Sequence, residues 1–282
     1  NLKKNKLLCY YNNSIMGYYY SLRAKYHLFN FIEDDINKII TYSSDCILLW
    51  HGVLPKRAEI PKMHTKKNII NNNLKKLIIY PNKFMAENII DHFHDKKYKL
   101  FMSGLPRNII FNSEKINSIY YKTDEENKFI DDLKNQKKNV FGYFPTWRVD
   151  GIELFRDAGN QDNLSELNEI LNKNNSIMLI KKHMNSEKKD MNRYYNSEIE
   201  KITNLLSNLN SFKFIDYDFD LNSILEICDV LVSDYSGVIF DYLYLERPII
   251  IYAPDYDDFL NKTGFNLDPI KEGFCHNAFN FN

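Results

Sequence analysis

The sequence predicts an α/β protein of two halves, each built on a parallel sheet, the two facing each other across a cleft. Three observations predict it. Short β-rich runs alternate with amphipathic or polar helical segments along the 282-residue chain, the pattern of repeated βαβ units. Runs such as Pro248-Ile249-Ile250-Ile251-Tyr252 are apolar at successive positions, as strands covered on both faces are. Between two such sets lies Thr123–Lys138, charged, helical in pattern and poor in large apolar residues. Residues 1–122 are therefore expected to form one domain, 123–138 a linker helix and 139–282 a second domain, with ligands bound where the halves meet.

In chain order, Lys25–Asn30, Cys46–Trp50, Leu74–Tyr80 and Tyr98–Met102 carry the β-branched, aromatic and aliphatic content of strands. Glu33–Ile40 and Lys83–Phe93 read as helices between them. In the second half the strands are Val140–Phe144, Ile177–Ile180, Phe212–Ile215, Val230–Ser233 and Pro248–Tyr252. The helices there are Asn163–Asn172, Glu198–Leu206, Leu221–Ile227 and Val238–Leu245. Asn71–Asn73 and Asn172–Asn175 read as solvated turns.

Composition narrows the function classes. The 37 basic and 37 acidic residues cancel, so the broad basic field of a dedicated nucleic-acid binder is missing. No apolar run reaches the roughly 18–20 residues that span a bilayer, and no signal-peptide core follows Asn1–Lys6. Cys9, Cys46, Cys228 and Cys275 are scattered without CxxC or zinc spacing, and Cys46 and Cys228 read as small core residues. A reducing, cytoplasmic setting is expected.

The most informative stretch is Asp229–Asp241, a strand, a tight turn and a helix start. Asp234 and Ser236 are N-cap types, and Gly237 allows close approach to the backbone. A helix start of this kind suits a pyrophosphate; a plain helix cap at Ser236 and a solvated Asp241 are the simpler alternatives. Leu48–Gly52 delivers His51 from a strand onto a Gly-containing loop, where an imidazole serves either structure or proton transfer. Phe141–Arg148 ends a strand at Pro145 and presents Arg148, whose planar fork fits phosphate oxygens or a neighbouring carboxylate such as Asp150. Leu179–His183 ends a strand in Lys181, Lys182 and His183, a basic cluster that suits either an anion or solvent.

The run Ser233-Asp234-Tyr235-Ser236-Gly237-Val238-Ile239-Phe240-Asp241, followed by Arg247-Pro248 and a strand, resembles the signature of the CDP-glycerol glycerophosphotransferase family, which includes the teichoic-acid primases and polymerases. Gly237 stands where many members carry a second Ser. Trp50-His51-Gly52 with Pro55-Lys56-Arg57, Tyr143-Phe144-Pro145-Thr146-Trp147-Arg148, Lys181-Lys182-His183 and Gly104-Leu105-Pro106-Arg107-Asn108 resemble further family motifs in the family's order, although Met184 replaces a common Pro. The resemblance covers roughly residues 17–260. Tyr18–Tyr26 resembles the family from partway into its first domain, so a fragment or a shortened member is expected.

The resemblance implies a GT-B fold of two Rossmann-like domains and transfer of glycerol phosphate, or a related phosphoalditol, from a CDP-linked donor to a polymer or lipid-linked acceptor, with release of CMP. It implies His51, Arg148 and His183 as catalytic, with His51 the base. Lys181, Asp234, Tyr235, Ser236, Gly237, Asp241 and Arg107 would serve the donor phosphates, Arg107 having an interdomain lock as its alternative. No built-in metal or cofactor is expected, and Mg²⁺ from solution is left open. No nucleic acid is expected as a partner. Peripheral contact with the inner membrane face, through lysines such as Lys62, Lys66 and Lys67, is a further expectation. Two rival readings are a GT-B glycosyltransferase using a nucleotide sugar, which a panel of nucleotide donors separates, and a non-catalytic partner in surface-polymer assembly, which nucleotide binding without turnover would support.

Overall fold

A computed structural model of the chain describes residues 9–30, 44–49, 52–53, 76–92, 98–112, 122–146, 161–181, 202–216, 218–273 and 275–279. The chain divides into two compact units, Asn1–Val53 with Glu59–Pro106, and Leu54–Ala58 with Arg107–Asn282.

The first unit opens with α1 (Ile15–Arg23), started by Ser14, whose hydroxyl accepts from the Gly17 N–H. A four-stranded sheet follows, β1 (Tyr26–Phe29), β2 (Asp45–Leu48), β3 (Lys76–Tyr80) and β4 (Tyr98–Met102), in the order β1-β2-β3-β4. Every pair is parallel, with Leu28 opposite Ile47 and Ile79 opposite Phe101. Helix α2 (Lys83–His92) enters through Asn82, whose side-chain oxygen accepts from the Met85 N–H. The predicted helix Glu33–Ile40 and the Asn71–Asn73 turn lie outside the described residues.

A 3-10 turn, Pro106–Asn112, leads from the first unit into the second, and α3 (Asp124–Gln136) follows it. The segment read as a linker helix is an amphipathic helix that buries Ile130 and Leu133 in the core. Thr123 caps it by accepting from the Glu126 N–H, and three acidic residues in its first turn complement the helix dipole. The strands are β5 (Asn139–Tyr143), β6 (Ser176–Ile180), β7 (Phe212–Phe214), β8 (Val230–Ser233), β9 (Ile249–Tyr252) and β10 (His276–Ala278). Helix α4 (Gln161–Lys173) joins β5 to β6, α5 (Leu221–Ile227) precedes β8, α6 (Val238–Tyr242) follows it, and α7 (Tyr256–Lys262) follows β9. Of the predicted helix Glu198–Leu206, only residues from 202 onward lie within the described set.

All pairings in this six-stranded sheet are parallel, and its order is β10-β9-β8-β5-β6-β7. Alternate residues go to opposite faces, as the two-residue strand period requires. Val140, Ile177, Leu179, Leu231, Ile249 and Ile251 pack into one cluster with α3, α5 and α6. Tyr143, Met178, Ile180, Val232 and Tyr252 pack into another with Leu164 and Leu171 of α4. Both faces are covered, which is why β6 is buried at every position and why these strands read as unbroken apolar runs. Each fully buried aliphatic side chain contributes about 1.5–3 kcal/mol relative to exposure.

Arg247 holds the end of α5. Its guanidinium donates to the Glu226 and Cys228 carbonyls at 2.8 and 2.6 Å, a cation on carbonyls that the helix leaves unpaired. Gly142 is closely packed in β5. A methyl added there would lie 2.6 Å from the Phe144 ring and 2.7 Å from the Cys228 sulfur, both buried. Alanine normally strengthens a strand relative to glycine, yet Gly142→Ala is expected to destabilise by about 1–3 kcal/mol through overpacking. Equilibrium urea unfolding measures it, and an unchanged or raised midpoint contradicts the packing argument.

Candidate functional site

In the second sheet the chain runs β5, β6, β7 outward to one side, then returns to place β8, β9 and β10 on the other. The strand order reverses between β5 and β8. In open parallel sheets a crevice forms at the carboxyl ends of the strands at such a reversal, and ligands bind there. Three of the sequence motifs leave their strands on this edge. Pro145 and Thr146 follow β5, Lys181 follows β6, and Asp234–Gly237 follow β8.

Two hydrogen bonds lash the β5 and β8 exits together. The Ser233 hydroxyl donates to the Phe144 carbonyl at 2.7 Å, and the Thr146 N–H donates to Asp234 Oδ1, also at 2.7 Å. The Phe144 N–H still pairs with the Val232 carbonyl, so the strand geometry runs into the loop. Asp234 is buried. Sequence alone offers Asp234 as a cap for the following helix; here its carboxylate reaches across to the β5 loop instead.

The start of α6 is built from backbone. Its N-cap is Gly237, with no side-chain cap bond, and the Ser236 hydroxyl accepts from the Val238 N–H at a long 3.4 Å. Ser236 and Gly237 are both half-buried. Tyr235, between them and Asp234, is a core residue: its ring stacks on Phe259 with centroids 4.0 Å apart, and its hydroxyl donates to Asp255 Oδ1 at 3.1 Å. The Tyr235 side chain is thus committed to α7 and its approach, and only its backbone stands at the edge.

Lys181 is half-buried, and its ammonium donates to the carbonyls of Asp216 and Phe219 at 3.0 and 2.8 Å. Burial lowers its pKa, while Asp220, Asp216, Glu126 and Asp218 pull the other way. Its described role is to hold the loop between β7 and α5. Arg107 and Asp241, expected separately at the phosphates, are brought together. The Arg107 Nε and Nη2 donate to the two carboxylate oxygens at 3.2 and 2.5 Å. The Arg107 carbonyl also accepts from Asn222 Nδ2 at 3.1 Å, docking the Pro106–Asn112 turn on α5. Burial raises the Asp241 pKa, and Arg107 and Asn108 lower it.

His51, Arg148 and His183 lie outside the described residues. Sequence places Thr146 within a motif and gives it no role of its own; its hydroxyl is buried without a hydrogen-bond partner among the described residues. Among the described residues no group of three or more His, Cys, Asp or Glu is placed to hold a metal ion. Among the same residues no helix is long and apolar enough to cross a membrane.

Comparison with known proteins gives this edge a context. The family model for CDP-Glycerol:Poly(glycerophosphate) glycerophosphotransferase matches residues 1–281. The teichoic acid poly(glycerol phosphate) polymerase of Bacillus spizizenii is 29% identical over 237 residues, covering 78% of this chain and 54% of that protein. The teichoic acid glycerol-phosphate transferase of Staphylococcus aureus is 26% identical over 243 residues, covering 79% and 56%. The chain spans about half the length of the curated relatives it matches. Among solved structures, the wall teichoic acid polymerase TagF aligns with a TM-score of 0.67 at 23% identity, over 99% of this chain and 68% of that one. The likeness establishes the α/β fold with parallel sheets.

Proposed function

The chain belongs to the CDP-glycerol:poly(glycerophosphate) glycerophosphotransferase family, and on that ground we propose that it moves glycerol phosphate from CDP-glycerol to a hydroxyl of a cell-surface polymer or its lipid-linked precursor, releasing CMP. The observation that carries the reading is the placement of three motif loops on one edge of the second sheet, where the strand order reverses and Ser233 and Asp234 tie two of those loops together. An anionic nucleotide diphosphate suits such an edge.

In the proposed reaction the acceptor oxygen attacks the glycerol-bearing phosphorus of the donor. A new oxygen–phosphorus bond forms, the bond to the bridging oxygen breaks in line, and CMP carries that oxygen away. His51 takes the acceptor proton as attack proceeds. Arg148, His183 and the backbone N–H groups around Ser236 and Gly237 meet the charge that builds on the phosphate oxygens. The reading includes a GT-B arrangement, two Rossmann-like lobes across a cleft, which would bring the His51 loop to the donor. It includes no built-in metal, since fixed cations supply the positive charge, and leaves Mg²⁺ from solution as a separate variable. Peripheral contact with the inner membrane face belongs to the same proposal.

A donor panel tests it. With a lipid-linked glycerol phosphate acceptor, the full chain is expected to release CMP from CDP-glycerol and to lengthen the acceptor by one or more glycerol phosphate units in mass analysis. Release of UDP from a UDP-sugar, with none of CMP from CDP-glycerol, replaces this reading with a glycosyltransferase.

A further inference from the structure

We propose that the Thr146 hydroxyl is a ligand for the donor's diphosphate oxygens and that Asp234 is the positioning residue that sets it; the inference rests on the donor reading above. Thr146 is 6% exposed, and its Oγ1 is buried with no hydrogen-bond partner among the described residues. A buried hydroxyl left unpaired is destabilising, and nearly all such groups in folded proteins find a partner. One that persists without a protein partner marks a position that something else completes. Its place in the fold says what: the loop leaving β5 at the reversal of strand order, opposite the loop that leaves β8.

The surroundings hold this hydroxyl in place. Pro145 fixes its own φ. On one side of it the Phe144 carbonyl is bonded to Ser233, and on the other the Thr146 N–H is bonded to Asp234. Both bonds come from consecutive residues at the end of β8, so the Thr146 backbone is set by the strand that also delivers Ser236 and Gly237. A neutral hydroxyl donating to a phosphate oxygen makes a charge-assisted bond. A buried carboxylate facing the same oxygens would repel them. Asp234 therefore acts through the Thr146 amide and not on the phosphate, which departs from the direct phosphate contact expected from sequence.

Four variants test this, with titration calorimetry against CDP-glycerol and thermal melting of the free protein. Thr146→Val is expected to weaken CDP-glycerol binding about 10- to 100-fold, the worth of one hydrogen bond to a charged group. The same variant is expected to raise the free protein's Tm by about 2–4 °C, because a methyl replaces an unpaired hydroxyl. Thr146→Ser keeps the hydroxyl and holds wild-type affinity. Asp234→Asn keeps an acceptor for the Thr146 N–H and binds like wild type, whereas Asp234→Ala weakens binding as Thr146→Val does. Wild-type affinity in Thr146→Val, or a lowered Tm, overturns the assignment of the hydroxyl. Tighter binding in Asp234→Ala overturns the positioning role by placing the carboxylate against the phosphates. Failure of the wild-type chain to bind CDP-glycerol at all is a different result, and it removes the donor reading itself.

Discussion

Alanine at position 51 is expected to lower turnover of CDP-glycerol by about 10²–10⁴-fold, the usual worth of a general base, while CDP-glycerol affinity stays near wild type. The argument starts from the acceptor. An alcohol is a poor nucleophile at neutral pH, and an imidazole is the side chain suited to take up its proton there. β2 ends at Leu48, which is buried, and its neighbour Leu49 continues the pairing with β1 through the Phe29 carbonyl. His51 thus follows the carboxyl end of a strand in a parallel sheet, the end at which such folds carry their ligand-handling residues. The donor contacts proposed here come from the second unit, so removing the base leaves them in place. Ser236→Ala should act in the opposite sense, on affinity before turnover. Steady-state kinetics combined with equilibrium binding separates the two quantities. Wild-type turnover in His51→Ala, or a loss carried wholly by donor affinity, removes His51 as the base.

The legible parts of the fold are those where one strand or helix carries its own signal. Val230–Ser233, Tyr98–Met102 and Leu221–Ile227 have the bounds read from sequence: Leu231–Ser233 are buried and write an apolar run, whereas Tyr98–Met102 keeps its aromatic and aliphatic content although Phe101 and Met102 are exposed. Other elements left no such mark. β10 is His276-Asn277-Ala278, a polar edge strand held by pairing with Ile250–Tyr252. α1 buries only Gly17 and exposes Ile15, Tyr19 and Leu22, so no amphipathic period announces it. α3 reads as a charged connector because its buried face is narrow; Ile130 and Leu133 suffice to anchor it.

The candidate site divides in the same way. Which loops reach the carboxyl edge follows from strand–turn–helix patterning, and those loops were found. Which side chains then meet does not follow from spacing. Asp234 finds Thr146 across 88 positions and Arg107 finds Asp241 across 134, distances over which only the folded topology decides the partner. For the same reason Tyr235 reads as a site residue from its motif, although the ring belongs to the cluster with Phe259 and Phe265.

The Arg107–Asp241 pair carries the second large effect. Arg107→Ala is expected to destabilise the protein by about 2–4 kcal/mol, since it strips two hydrogen bonds from a buried carboxylate and leaves that charge uncompensated. Asp241 is 2% exposed, but the Arg107 side chain is 39% exposed, so solvent screening holds the loss below that of a fully buried pair. Asp241→Asn removes the charge and should cost less, and adding it to Arg107→Ala should recover part of the lost stability, a coupling that a double-mutant cycle reads directly. Acidity supplies an independent check. Burial raises the Asp241 pKa above the ordinary 3.8, and Arg107 opposes that rise. Without Arg107 the folded protein holds its proton to higher pH than the unfolded chain does, so stability falls as pH rises through that window and returns on acidification. The deficit of Arg107→Ala relative to wild type is therefore expected to shrink as the pH is lowered from neutrality. Additive effects in the cycle, or a deficit that grows on acidification, would mean that the pair does not hold the Pro106–Asn112 turn to α6. An Arg107→Ala protein that melts like wild type but binds CDP-glycerol weakly would instead move this arginine to the donor phosphates.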